Sequence, residues 1–173
     1  SCRPLWVQGF HTWMLGLASQ WMNLSGLHAN SVAPILVSRE QGRRKSTFCR
    51  SLMPDVLMRY YTDNLKLTSQ GQAERLLAEM GLLNMDEFDK YAETKMPLLK
   101  NLMQMSTLNI RKAYQQSFRQ LPRVASFIGT SNRFDLLTDP TGSRRFLCVE
   151  VKHNIDCTHI EHDQIFAQLK AEL

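Results

Sequence analysis

The sequence has 173 residues, 43% of them hydrophobic and 21% charged, with 21 Lys and Arg against 16 Asp and Glu for a net charge of +5. That size and composition suit one globular domain with its own core, and exclude both a disordered tail and a small scaffold that needs disulfide staples. The positive balance favours an anionic partner, nucleotide or nucleic acid, but only as a long-range field.

Cys2, Cys49, Cys148 and Cys157 form no CxxC pair, and the expectation is a reducing, cytoplasmic compartment. The most apolar stretch, Leu5 to Met22, is interrupted by Gln8, His11, Thr12, Ser19 and Gln20, a poor membrane span, so no membrane partner is expected. The chain opens on Ser-Cys-Arg-Pro and ends within a helical pattern, as a piece of a longer protein does.

Along the chain, Trp6, Phe10, Trp13, Met14, Leu17 and Trp21 recur at the spacing of a helix with one buried face. Residues 1–30 are expected to be a helical segment packed on a core formed by residues 31–173. Pro34 to Ser38 is a short continuous apolar run, the pattern of a buried parallel strand. Lys45 to Leu52 reads as a helix stopped by Pro54. Leu57 to Leu67 is expected to be a strand, Gln70 to Met80 a helix, Gly81 to Met85 a strand, and Thr94 to Met105 a helix with Pro97 in its first turn. Val124 to Gly129 and Phe146 to Val151 read as strands, and Ile160 to Leu173 as a closing helix. Strands alternating with helices predict an α/β fold with a largely parallel central sheet flanked by helices, and such sheets bind ligands at the carboxyl ends of their strands.

Four polar clusters stand beside those strands. Gln41-Gly42-Arg43-Arg44-Lys45-Ser46-Thr47 lies at a strand-to-helix turn. There backbone N–H groups hold phosphate, a lysine neutralises the terminal phosphates, and a hydroxyl ligates Mg²⁺. Arg39 and Arg44 stand where a phosphate-binding loop usually has glycine. Asp86-Glu87 ends a strand, offering a metal-holding acid and a general base. Ser126 to Asn132 is a strand ending in an amide that can bond a γ-phosphate or an attacking water. Arg144 and Arg145, after the turn-forming Asp139-Pro-Thr-Gly142, offer guanidinium forks that stabilise phosphoryl transfer. The order, phosphate loop, metal acid, sensor amide, arginine, is that of an AAA+-type site, with all four expected on one edge of one sheet.

The run Phe127-Ile-Gly-Thr-Ser-Asn-Arg133 followed by Asp139-Pro-Thr-Gly-Ser-Arg-Arg-Phe146 resembles the signature of the virulence-associated protein E family. Gln41 to Phe48 and Met85 to Phe88 resemble it too, and Asn109 to Tyr114 sits where the family has a basic segment. The resemblance covers roughly residues 34–151. It implies a three-layer, AAA+-like P-loop NTPase with ATP and Mg²⁺, a partner DNA, and a homo-oligomer of the full-length protein, in a primase-helicase-like role. By the same resemblance Lys45 and Ser46 contact phosphate and metal, Asp86 and Glu87 are metal acid and base, Asn132 is the sensor, and Arg144 or Arg145 the finger. The alternative is a degenerate, non-hydrolysing module for nucleic-acid binding or assembly, in which Arg43, Arg44, Lys45, Arg111, Lys112, Arg119 and Arg123 form a phosphate-tracking surface. A zinc site from Cys148, His153, Cys157, His159 and His162 is a third reading, though it lacks paired zinc-ligand spacing.

Overall fold

In the computed structural model, residues 3–24, 29–91, 93–111, 114, 116–137 and 145–173 are described. The uninterrupted apolar runs form strands that are buried along their whole length: β1 (Ala33–Val37), β3 (Leu82–Met85) and β6 (Ser126–Ser131). With β2 (Tyr61–Thr62) at one edge and β7 (Phe146–Glu150) at the other, they make a five-stranded sheet in the order β2-β3-β6-β1-β7. Every pairing in it is parallel.

Side chains alternate between the two faces of each strand, and the core divides accordingly. Ala33, Ile35, Val37, Leu83, Met85 and Phe127 face one way, onto α3 (Gln70–Glu79) and α4 (Met96–Gln104) through Leu77, Leu99, Leu102 and Met103. Leu36, Leu82 and Ile128 face the other way, onto α1 (Arg3–Trp21), α2 (Lys45–Ser51) and α5 (His162–Glu172). Trp13, Met14, Leu17 and Ala18 of α1, Cys49 of α2 and Leu169 of α5 complete that second layer. The result is the three-layer α/β fold expected from the sequence. No helix among the described residues is long and apolar enough to cross a membrane.

Two segments depart from expectation. Residues 57–67 are not a strand: Asp55–Tyr60 is a 3₁₀ helix, and only Tyr61 and Thr62 pair with the sheet. Pro54 starts the helical turn, its carbonyl accepting from Leu57 N at 2.9 Å, and Thr62 Oγ1 then bends the chain by accepting from Asn64 N at 3.2 Å. The second departure is an antiparallel ribbon outside the main sheet, β4 (Thr107–Arg111) with β5 (Phe118–Pro122), where the sequence pattern predicts no strand and marks only Asn109 to Tyr114, as a basic segment. Its signal was present in Thr107-Leu-Asn-Ile-Arg111, an alternation of polar and apolar residues.

Arg123 fastens the root of this ribbon. It is 2% exposed, and its guanidinium donates to the carbonyls of Met103 at 2.7 Å, Leu102 and Met105 at 3.2 Å, Ala125 at 2.8 Å and Asn30 at 2.6 Å. Three of these carbonyls lie at the end of α4, where helix carbonyls run short of internal donors, although Leu102 also accepts from Met105 N at 3.3 Å. Burial pushes the guanidinium down to about 9, so it stays charged at neutral pH. Buried carbonyls stripped of their donor cost about 1–3 kcal/mol each. Arg123→Met is therefore expected to lower the unfolding free energy by about 3 kcal/mol, with Arg123→Lys less damaging. Urea titration checks this, and an unchanged midpoint for Arg123→Met would refute it.

Candidate functional site

The register aligns the carboxyl ends of the three central strands: Val37 lies beside Ser131, and Met85 beside Gly129. Each of these strands ends in or runs on into polar residues: Ser38 after β1, Thr130 and Ser131 at the end of β6 with Asn132 after it, and Asp86 after β3. The loop from β1 to α2 passes over these ends and delimits a cleft of about 280 Å³. Gln41, Gly42, Arg43, Arg44, Lys45, Ser46 and Thr47 line it from the loop, with Asp86, Glu87, Thr130, Ser131 and Asn132 from the sheet.

Lys45 is the hub. Its Nζ donates to Ser38 Oγ at 2.6 Å, Asn132 Oδ1 at 2.7 Å and the Ser131 carbonyl at 3.2 Å. All three acceptors are neutral, and burial holds the ammonium below its ordinary range against the raising pull of Asp89 and then Asp86. Beside it, Ser46 Oγ donates to Asp86 Oδ1 at 2.6 Å, and Thr130 Oγ1 donates to the same oxygen at 2.7 Å. A hydroxyl and a carboxylate in contact are the hard oxygen donors that Mg²⁺ takes, and Mg²⁺ completes its shell with water and phosphate. The donor set therefore fits that ion. Among the described residues no cluster of three His, Cys, Asp or Glu side chains converges as a zinc site requires.

Glu87 lines the cleft, but its carboxylate pairs with Lys90 on the solvent side, and its backbone holds a left-handed φ of 53°. Thr130 Oγ1 accepts from Glu87 N at 3.0 Å and fixes that turn. Arg44 also holds a left-handed φ, 63°, directly before α2, while Gly42 turns the loop at φ 81° with open space around it. Arg39, at the other missing-glycine position, stacks over the Phe134 ring at 4.2 Å.

The expectation that all four clusters share one edge of the sheet is corrected for the arginine. Arg145 precedes β7, whose first residue, Phe146, pairs with Ala33, the first residue of β1. Arg145 thus lies at the amino end, four strand residues from the cleft, or about 13 Å along the sheet. There, with the Gln104 amide oxygen turned toward it, its Nη1 donates at 2.8 Å. Strand direction explains the error: a residue before a parallel strand sits at the end opposite to residues that follow one. Arg144 lies outside the described residues. Ser38, Thr130, Ser131 and Asp89 join the site without having been singled out. The first three could have been found as polar residues that end apolar runs; Asp89 carried no such signal.

The virulence-associated protein E-like domain family matches this chain over residues 6–173. An apo structure of the NrS-1 C-terminal region, its residues 305–718, is similar over 91% of this chain and 40% of its own, with a TM-score of 0.55 and 19% identity. An A-form apo structure of the same region is similar over 96% of this chain and 43% of its own, with a TM-score of 0.52 and 19% identity. The chain thus spans less than half the length of these solved chains, and at that identity the likeness is one of fold. No curated protein matches it in sequence.

The left-handed Arg44 generates a test of the loop. A β-branched residue is strained there by about 1–2 kcal/mol, whereas glycine is not. Arg44→Val is expected to lower thermal stability, and Arg44→Gly to hold or raise it. Equal loss in both variants would show that the arginine side chain, not the backbone, matters at this position.

Proposed function

Because this chain belongs to the virulence-associated protein E-like domain family, we propose that it binds ATP with Mg²⁺ in the cleft and hydrolyses it in work on DNA. The observation that carries this reading is Lys45: a partly buried ammonium whose three protons go to neutral oxygens, one residue from a hydroxyl already bonded to Asp86. A cation desolvated without a contacting counter-ion is set to exchange those oxygens for an anion.

On binding, Lys45 would release Asn132 and take a terminal phosphate oxygen. Ser46 and Asp86 would hold Mg²⁺, which neutralises charge on the phosphates. Asn132, freed from Lys45, would bond the γ-phosphate with its amide and help to orient the attacking water. Glu87 would accept the water's proton once its carboxylate leaves Lys90. Gln41, Gly42, Arg43, Arg44 and Thr47 would line the phosphates. Arg145 lies too far along the sheet to serve its own cleft, so the finger, from Arg144 or Arg145, would come from a second copy of the chain.

The ribbon supports a DNA partner. Phe118 is 64% exposed, Tyr114 in the connection is fully exposed, and Arg111 stands over the Phe118 ring at 6.0 Å. Exposed aromatics among arginines form a stacking surface for single-stranded bases.

Calorimetry of Mg²⁺-ATP binding tests the first half of this reading. Lys45→Ala is expected to abolish binding. At 100 times its dissociation constant, ATP should stabilise the unsubstituted protein by about 2.7 kcal/mol. Absence of binding by the folded protein would leave the non-hydrolysing DNA or assembly module, with its arginines at the glycine positions, as the better reading. For the second half, Phe118→Ala is expected to weaken binding of single-stranded DNA by roughly tenfold, since a stacked base contributes about 1–3 kcal/mol. Fluorescence anisotropy at fixed salt measures this, and an unchanged affinity would remove the ribbon from the DNA contact.

A further inference from the structure

Asn132 leaves the sheet directly after β6, and the course of the chain at that point decides where its amide aims. Ser131 governs that course. It is 1% exposed, and its Oγ accepts from Arg133 N at 3.0 Å, closing a tight turn around Asn132. The single proton of the same hydroxyl is donated to Asp89 Oδ1 at 2.9 Å. A serine hydroxyl rotates to suit its partners, so Asp89 determines that its lone pairs face Arg133 N.

Asp89 is itself firmly placed. It lies in the 3₁₀ turn Phe88–Lys90, between Phe88, buried at 6% exposure, and the turn's exposed end. Phe88 packs against Phe146 with ring centroids 4.9 Å apart and against Tyr91 at 6.3 Å. The core therefore holds Asp89, Asp89 holds Ser131, and Ser131 shapes the turn that carries Asn132. The Ser131 carbonyl is also one of the three acceptors of Lys45, so the same turn sets the resting place of the ammonium.

We propose that Asp89, acting through Ser131, is the positioning residue that aims Asn132 at the γ-phosphate and so lets the cleft distinguish a nucleoside triphosphate from a diphosphate. This rests on the reading of the cleft as an ATP site and adds a residue to it. Asp89 touches neither nucleotide nor metal; its effect on Asn132 passes through the hydrogen bond from Ser131, apart from its electrostatic pull on Lys45.

The test is the ratio of ADP to ATP dissociation constants, measured with Mg²⁺ by calorimetry on the full-length protein. Asp89→Ala and Ser131→Ala are each expected to reduce this ratio at least fivefold, to the level of Asn132→Ala, with ADP affinity held within twofold. The double variant should be no worse than Ser131→Ala alone, because that substitution already breaks the bond to Asp89. Asp89→Asn keeps an acceptor oxygen for Ser131 and should retain most of the discrimination. An unchanged ratio in Asp89→Ala overturns the proposal, as does a parallel loss of ADP and ATP affinity, which marks a general structural role. A rise in ATP affinity, or Asp89→Asn behaving like Asp89→Ala, assigns the effect to charge and overturns it too. If Lys45→Ala abolishes ATP binding while Asp89 variants discriminate normally, this inference alone fails. If the unsubstituted protein binds no ATP, the reading of the cleft fails and takes this inference with it.

Discussion

An ammonium group held among neutral oxygens is the constraint around which the carboxyl end of the sheet is built. Lys45 begins α2, yet its Nζ reaches the ends of two adjacent strands: Ser38 just after β1, and Ser131 and Asn132 at the end of β6. This works only because β1 and β6 are parallel neighbours with Val37 beside Ser131. The backbone agrees, since Ser38 N also donates to the Ser131 carbonyl at 3.2 Å. Asp86 and Asp89 lie near enough to raise the lysine's proton affinity, but desolvation outweighs them. The balance leaves a positive charge with good geometry and incomplete neutralisation, the electrostatic condition for seating an anion at a switch point of a parallel sheet.

The loop above this charge shows how backbone conformation can be kept while side chains change. A phosphate loop uses glycine where the chain must take positive φ or approach an oxygen closely. Here Gly42 supplies one such residue and Arg44 adopts another without glycine's freedom. Arg44 is exposed, so its strain is not relieved by burial, and the neighbouring turn, in which Asp156 bonds Thr158 N at 2.9 Å, lies within its electrostatic reach. Arg39 is parked on Phe134, which ties the start of the loop to the segment following β6. Arg39 thus has a physical place in the loop away from the cleft, whereas Arg44 remains on its lining.

Much of this was legible in the sequence, because a strand buried on both faces reads as a continuous apolar run. Pro34 to Ser38, Gly81 to Met85 and Val124 to Gly129 announced the three central strands, and with them the floor of the site. Lys45, Ser46, Asp86 and Asn132 followed, since the end of each run marks the carboxyl edge. What stayed hidden depends on relations between segments. Residues 57–67 have apolar residues enough for a strand, but Pro54 and the Thr62 to Asn64 bend leave only two of them paired. Arg145 follows a turn in sequence, and only the direction of β7 shows it to be at the far end. Asp89 lies in a charged run that reads as a solvated turn, and only the burial of Phe88 beside it turns it inward to Ser131.

One strand connects the two ends of the molecule. β6 finishes in Ser131, beside Lys45, and begins at Ser126, three residues after Arg123. Arg123 in turn grips the end of α4 and lies directly after β5, the second strand of the exposed ribbon. Gly129, midway along β6, allows no slack, because a Cβ there would stand 2.8 Å from Ile35 Cδ1 and 3.1 Å from the Met85 carbonyl. β6 is thus closely packed between β1 and β3. In the proposed function, exchange of Asn132 for phosphate at one end of β6 bears on a rigid element whose other end is fastened, through Arg123, to the ribbon that meets DNA.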